Sequence, residues 1–450
     1  MIKARAFAGK HYAVLGLARS GLATVEALLA SGARVTAWDD KLLPGEGRGP
    51  GQRELLLRTG LDPGLRRGTE ILDLNTADLT QFDSIVVTPG LPLNRHPIAG
   101  RARDAGVEII GDIELFARAR AELPPHKVVG ITGTNGKSTT TALVHHILQT
   151  AGVPSLMGGN IGLPILSRDP LPESGVYVLE LSSYQIDLTK SLHCDVAVLT
   201  NVTPDHLDRY EDFAAYERSK ARLFEMQSDD GLIVWDMMQD GVCSLEDLFD
   251  LGLLDLRART FGTTPIDKVI ADRLGPSMRG PHNLSNAKLA LRAVWALGFD
   301  GDDIYEAICS FGGLPHRLEP VRERNGVLFV NDSKATNAEA AAPALAAYSK
   351  VRWIVGGQAK AETLGDTADQ LDHVVAAYTI GEAGPMFARL LRDAGVAVTE
   401  CETLEIAVKR AAEDSQSGET VLLSPASASF DQFKDFEERG NRFRELVGAL

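Results

Sequence analysis

The densest chemistry in the chain is the run Thr132-Gly-Thr-Asn-Gly-Lys-Ser-Thr139, which follows an apolar run, Val128 to Thr132, and precedes a helix-like pattern from Ser138 to about Thr150. A glycine turn between a strand and a helix presents backbone N–H groups to phosphate, a lysine there reaches the outer phosphates, and a serine hydroxyl reaches Mg²⁺. Gly133, Thr134, Asn135, Gly136, Lys137, Ser138 and Thr139 are therefore read as an ATP-phosphate cradle, with Ser138 also a metal ligand. Ile131 stands where the strict phosphate-loop spacing has its first glycine, so the match is to the turn and not to the full pattern. A second turn, Val14-Leu-Gly-Leu-Ala-Arg-Ser-Gly21, with Asp39 closing the next strand, imitates a dinucleotide fingerprint. Ala18 replaces the middle glycine, which disfavours NAD but leaves a helix N-terminus able to hold another diphosphate, such as that of a nucleotide sugar. A plain strand-to-helix turn with Asp39 as a cap is the competing reading.

Other polar groups crowd strand ends, where parallel sheets place ligands. Glu180 ends the run Gly175 to Glu180, and His206 lies among carboxylates in Asn201-Val-Thr-Pro-Asp-His-Leu-Asp208, a set able to meet metal or phosphate. In the helical segment 213–224, Phe213, Tyr216, Leu223 and Phe224 form an apolar stripe that contains Lys220. That lysine either snorkels its charge outward or loses it through a lowered pKa or modification. Asn331-Asp-Ser-Lys-Ala-Thr-Asn337 puts Asp332, Lys334 and Thr336 at one edge; Arg317 offers a phosphate fork; Lys360 follows a glycine pair; and Ser424 to Phe433 adds hydroxyls.

These groups need strand-turn-helix units to hold them, and the sequence supplies three sets. The first carries strands at 12–16, 34–39 and 84–88, the second at 128–132, 176–181 and 196–199, and the third at 327–331, 352–355, 374–380 and 421–424 before a polar C-terminal helix. The expected divisions are 1–113, 114–312 and 313–450. The chain has 450 residues, 44% of them apolar and 24% charged, which suits a folded globular protein and excludes fibrous and disordered classes. Acidic residues exceed basic ones by 61 − 46 = 15, a field that repels nucleic acid. Four dispersed cysteines (194, 243, 309 and 401), no secretory pattern and no apolar run of membrane-spanning length predict a cytoplasmic protein with no disulfide framework.

In this order the motifs GTNGKST (133–139), GGNIG (158–162), ELSSYQ (180–185), NVTPDHLDRY (201–210), GPHNLSNA (280–287), LPHRLE (314–319), NDSKATN (331–337) and SPASASFDQF (424–433) resemble the Mur ligase family of ATP-dependent peptidoglycan precursor ligases. The resemblance spans nearly the whole chain, and NDSKATN with the SPASASFDQF ending is most similar to the branch that adds D-glutamate. It implies an α/β protein of three domains: a Rossmann-like N-terminal UDP-binding domain, a central P-loop ATPase-like parallel-sheet domain, and a C-terminal Rossmann-like α/β domain. By resemblance Arg19, Ser20, Asp39, Thr88, Asn160 and His206 meet the UDP substrate, while Ala18 and Asp40 depart from the family's usual residues. Glu180, His206 and Lys220 would hold a second Mg²⁺ beside the one on Ser138, with Lys220 carbamylated, a change that turns an ammonium into a carboxylate. Asn283, Asn286, Arg317 and Asp332 would serve ATP, Lys334 the phosphates, and Thr336, Lys360, Ser429 and Phe436 the glutamate. The segment 228–279 lacks an expected Asn-Ala-Asp-Asp type turn and carries no candidate residue.

The implied reaction activates the carboxylate of UDP-N-acetylmuramoyl-L-alanine as an acyl phosphate, which the amine of D-glutamate then displaces. ATP and two Mg²⁺ ions are the implied cofactors, His316 is a candidate base, and the enzyme is expected to be a monomer acting on small molecules, with no nucleic acid and no membrane span. The same reaction with L-glutamate, a folylpolyglutamate-synthase-like ligase and a catalytically silent nucleotide-binding scaffold stay open at this point.

Overall fold

The computed structural model describes residues 1–40, 68–205, 209–228, 230–235, 274–275, 278, 281–359 and 361–450. They fall into two compact units, the first within Met1–Lys268 and Ser285–Ile308, the second within Val269–Leu284 and Cys309–Leu450. Most of the divergent segment 228–279, Cys243 included, lies outside the described residues, as do His206 and Lys360.

The first unit holds two parallel sheets. β1 (His11–Leu15), β2 (Arg34–Trp38), β3 (Thr69–Ile71), β4 (Ser84–Val87) and β5 (Glu108–Ile110) lie in the order β3-β2-β1-β4-β5. β1 and β4 are buried at every residue, the pattern of parallel strands covered on both faces. Strand order reverses between β1 and β4, so the crevice where such sheets bind ligands opens there. Gly16 makes the turn after β1 at φ +94°, and a Cβ on it would stand 2.3 Å from Thr88 Oγ1. The helix Arg19–Ala30 follows.

β6 (His126–Thr132), β7 (Ser155–Gly159), β8 (Gly175–Glu180), β9 (Val196–Leu199) and β10 (Leu232–Val234) form the second sheet, in the order β10-β9-β6-β8-β7. Both sheets contribute to one hydrophobic core. Residue 113 falls inside the helix Asp112–Ala119, whose buried Glu114 carboxylate reaches the second sheet's connections. It accepts hydrogen bonds from Lys190 N at 2.7 Å and Ser191 N at 2.9 Å, and from Arg118 Nε at 2.8 Å.

In the second unit β11 (Glu319–Arg324), β12 (Val327–Asn331), β13 (Val351–Gly356), β14 (Val374–Ile380), β15 (Val398–Glu402) and β16 (Thr420–Leu423) run β11-β12-β16-β13-β14-β15. All pairings are parallel except the β11–β12 hairpin. Asn325 and Gly326 turn that hairpin at φ +53° and +76°, the two left-handed residues that a tight hairpin turn requires. Apolar layers cover both faces, one around Trp353 and one around Phe443.

Candidate active site

The turn after β6 is held in one shape by its glycines and by its neighbours. Gly133 (φ +142°) and Gly136 (φ +84°) take conformations that L side chains avoid, and a Cβ would meet Thr200 Oγ1 at 1.9 Å on the first and Asn286 Oδ1 at 2.2 Å on the second. The loop beyond β9 pins the turn from below: Thr134 N donates to Asn201 O at 2.8 Å, Asn135 N to Asn201 Oδ1 at 2.9 Å, and Thr200 Oγ1 to Asn135 O at 2.6 Å. Lys137 opens the helix Lys137–Thr150 and Ser138 is its second residue. Lys137 Nζ folds back onto Gly133 O at 2.9 Å and Thr134 O at 2.7 Å. Asn286, on the helix Pro281–Ala296, accepts from Thr140 Oγ1 at 3.3 Å. Thr139 is buried within the Lys137–Thr150 helix.

Glu180 ends β8, beside β6, at 2% exposure. Its Oε1 accepts from Asn160 Nδ2 at 2.8 Å, and its Oε2 is buried with no hydrogen-bond partner. A buried carboxylate oxygen without a donor is what an oxygen-seeking cation such as Mg²⁺ satisfies, so Glu180 and the nearby phosphate turn with Ser138 fit a hard-cation site. Among the described residues no group of three or more His, Cys, Asp or Glu side chains converges as a metal cage.

Lys220 lies on the helix Phe213–Glu225 with the apolar stripe buried around it, at 2% exposure. The snorkelling alternative is thereby overturned: Nζ points inward, donating to Gly133 O at 2.7 Å and lying 4.4 Å from the Tyr216 ring centroid. Burial, and then the Lys137 charge, hold this amine well below the ordinary lysine range, against the opposing pull of Asp205 and Asp187. Two lysines thus share one carbonyl, that of Gly133.

At the first sheet, Asp39 Oδ2 accepts from Leu17 N at 2.7 Å and so shapes the glycine turn. Ser20 and Thr88 line the crevice between β1 and β4. Arg19 reaches the GGNIG loop, donating to Gly162 O at 3.1 Å. Asp40 is occupied by Trp38 Nε1 at 3.0 Å, Asn75 Nδ2 at 2.9 Å and His96 Nε2 at 2.9 Å; burial opposes its ionisation, but these hydrogen bonds together hold the carboxyl below the usual range. Arg209, which the sequence reading passed over, spans the two sheets, donating to Gly90 O at 2.7 Å and Leu91 O at 2.9 Å.

In the second unit Asp332 is buried just after β12, accepting from Leu318 N at 3.1 Å and Ser424 Oγ at 2.7 Å, and burial pushes its carboxyl up to about 7. Arg317 is half-buried, and Lys334 is exposed with Nζ 4.0 Å from the Phe436 ring centroid. His316 is buried: Asn331 Nδ2 donates to its Nδ1 at 2.9 Å, and a Cβ on Gly440 would meet that nitrogen at 2.1 Å. Burial first, then the Arg444 charge, lower its pKa. The ring thus packs the loop together, which is not the placement of a solvent-facing base. The residue missed outright is Arg439, 1% exposed, whose guanidinium donates to Ser333 Oγ at 3.0 Å, Ser333 O at 2.9 Å, Ser427 O at 3.1 Å and Ala428 O at 3.3 Å. It ties the NDSKATN loop, which carries Thr336, to the SPASASFDQF loop, where Ser429 is buried. Phe436 begins the helix Phe436–Ala449 that carries Arg439, and its carbonyl accepts from Ser333 Oγ at 2.8 Å. Asn283 is buried, in the same compact unit.

Three family descriptions match the chain: Mur ligase MurD-like N-terminal domain over residues 10–111, Mur ligase middle domain over 131–244, and Mur ligase glutamate ligase domain over 316–427. The chain is 56% identical over its full length to a protein from Novosphingobium aromaticivorans and 54% to one from Sphingopyxis alaskensis, covering 97% and 100% of them; both are named UDP-N-acetylmuramoylalanine--D-glutamate ligase. A protein of the same name from Zymomonas mobilis is 51% identical, each chain covered in full. Among solved structures, the UDP-N-acetylmuramate-alanine ligase of Thermotoga maritima matches 98% of this chain and 99% of its own, at TM-score 0.57 and 19% identity. A bifunctional folylpolyglutamate synthase/dihydrofolate synthase from Yersinia pestis matches 75% and 93%, at TM-score 0.53 and 18% identity, a likeness of fold alone.

Proposed function

The chain belongs to the Mur ligase family, and from that membership we propose that it joins D-glutamate to UDP-N-acetylmuramoyl-L-alanine at the expense of ATP, a step in peptidoglycan precursor synthesis. The observation that carries the choice of substrates is the identity of 51–56% to three proteins named as D-glutamate ligases over the whole of this chain. In this reading residues 1–113 hold UDP, 114–312 hold ATP and 313–450 hold glutamate. The enzyme works as a monomer in the cytoplasm and has no nucleic-acid partner.

The alanine carboxylate attacks the γ-phosphorus of ATP, ADP leaves, and an acyl phosphate results. The glutamate nitrogen then attacks the acyl carbon, inorganic phosphate leaves, and the amine gives up its proton. Lys137 and Arg317 spread the charge on the transferring phosphoryl group, the N–H groups at the start of the helix Lys137–Thr150 receive it, and Asp332 holds the ribose. Asn283 and Asn286 face the adenine; Lys334 lies near the phosphates; Thr336, Lys360, Ser429 and Phe436 frame the glutamate; and Arg19, Ser20, Asp39, Thr88, Asn160 and His206 receive the UDP substrate. Ser138, and separately Glu180, His206 and Lys220, would hold two Mg²⁺ ions, which would supply electrostatic neutralisation of the phosphates. The lowered pKa of Lys220 supports its modification: only a neutral amine attacks CO₂, forming the N–C bond of a carbamate with release of one proton, and the product carries the negative charge a cation site needs. No proton transfer is assigned to His316.

The test is phosphate release from ATP with UDP-N-acetylmuramoyl-L-alanine and D-glutamate, L-glutamate or no amino acid. Release that requires D-glutamate supports the reading, dependence on L-glutamate replaces the acceptor, and release with neither sinks it.

A further inference from the structure

Arg209 has no part in the reaction proposed above, yet its side chain touches both sheets of the first unit. It lies in the loop after β9 and is half-buried. Its guanidinium donates through Nη1 to Leu91 O at 2.9 Å and through Nη2 to Gly90 O at 2.7 Å, a two-pronged grip on consecutive carbonyls of the turn after β4. The central carbon of the same guanidinium lies 4.6 Å from the centroid of the Tyr184 ring, in the turn after β8. One rigid plane therefore holds the first sheet by its edge and the second by its face.

Each end of this grip leads to a candidate site residue. The turn after β4 starts at Thr88: Leu91 N donates to Thr88 O at 3.0 Å, Thr88 N donates to Leu15 O at 3.2 Å, and the Thr88 hydroxyl stands 2.3 Å from where a Cβ on Gly16 would be. Tyr184 is the second residue of the short helix Ser183–Asp187, four residues after Glu180. Its ring stacks on that of Tyr210, with centroids 6.0 Å apart and planes at 14°. The Tyr210 hydroxyl donates to Asp187 Oδ2 at 2.9 Å and lies 3.1 Å from Oγ of Ser219, the residue before Lys220. The sheets themselves are joined elsewhere, by their common apolar core and by the buried Glu114 carboxylate on Lys190 N and Ser191 N. Arg209 is therefore an added tie at the ends of the strands that face ligand.

We infer that Arg209 is a positioning residue for the ligase reaction: by gripping the Thr88 turn while lying on Tyr184, it fixes the separation between the UDP-linked substrate at β4 and the cation and phosphate groups at β6 and β8. This rests on the reading that Thr88 receives the UDP substrate and Glu180 a cation. Attack of the alanine carboxylate on the γ-phosphorus needs the reacting atoms about 3–3.5 Å apart and in line, and a turn displaced by about 1 Å lowers the rate by about a hundredfold. Two neighbouring carbonyls and a flat ring suit a planar fork with donors at fixed spacing. An ammonium supplies the charge without the fork or the flat face.

Steady-state kinetics of the full chain with UDP-N-acetylmuramoyl-L-alanine, ATP and D-glutamate, run beside thermal unfolding, test this. Arg209→Met keeps an apolar stem and removes the fork. In that variant kcat/KM for the UDP substrate is expected to fall about a hundredfold, with KM for ATP within about twofold of wild type and the melting temperature within about 2 °C. Arg209→Lys is expected to fall between the two. Glu114→Gln is the contrasting variant, expected to melt several degrees early because it weakens the buried tie between the sheets. A folded Arg209→Met enzyme whose kcat/KM stays within about threefold of wild type overturns the inference, as does a KM for ATP that rises as far as that for the UDP substrate. Failure of Arg209→Met to fold, or melting as early as in Glu114→Gln, also overturns it, since Arg209 would then be a structural tie. Absence of D-glutamate-dependent turnover in wild type would strike the proposed function instead.

Discussion

The glycine turn after β6 and the β12 edge of the second unit are both crowded strand ends, yet they are held in shape by opposite means. At the turn the backbone does the work: two glycines in left-handed conformations leave no room for a Cβ, and Thr200 and Asn201 clamp the peptide groups. At the β12 edge the work falls to buried side chains, with Arg439 bridging two loops through their carbonyls and Asp332 accepting from Leu318 and Ser424. A backbone-built site fails when an atom is added. A side-chain-built site fails when a partner is removed.

The largest expected effect follows from adding an atom. Gly133→Ala forces a Cβ against Thr200 Oγ1 at 1.9 Å and strains φ, and D-glutamate-dependent phosphate release is expected to fall by about a thousandfold or more. Wild-type turnover in that variant would remove the turn from the reaction. Next is Lys220→Ala, expected to lose about a hundredfold or more and to regain part of it with added short carboxylates; full activity without them would exclude Lys220 from the site. Arg439→Met removes a charge with four acceptors and is expected to destabilise the second unit by about 3 kcal/mol, read as faster amide exchange in β12 and β16. Unchanged exchange there would collapse the contrast between the two sites. The smallest effect concerns Asp332. Its folded-state pKa of about 7 lies above the unfolded carboxylate value, so the stability it contributes is full below about pH 4 and is lost as pH rises through about 7. Asp332→Asn is expected to flatten that decline, a difference of a few degrees in melting temperature between the ends of the window. A decline as steep in the variant as in wild type would assign the pH dependence elsewhere.

Central strands were legible because parallel strands buried on both faces read as unbroken apolar runs, as in Val196–Leu199 and Val327–Asn331, and Val374–Ile380 was legible from its apolar run although it is fully buried only from Ala377; all three bounds match the sequence reading. The edge strands β11 and β15 were not. Both are largely exposed and carry charges, so their composition resembles loop, although Asn325-Gly326 was an available sign of the hairpin. The glycine spacing at Gly133 and Gly136 was legible because both positions take positive-φ conformations that L side chains avoid. Arg439 was not, because a lone arginine in a polar helix carries no local sign of burial.

The sequence by itself determined the sheet class, the glycine turn after β6 and the family, since these depend on period, on glycine at fixed offsets and on the order of motifs. Tertiary structure alone decided the electrostatic state of the buried groups. Lys220 and Lys137 meet on one carbonyl from helices some eighty residues apart in the chain, and Glu180 is left without a partner for one oxygen. Ionisation depends on desolvation and on neighbours brought together by folding, and neither is a property of any local stretch of sequence.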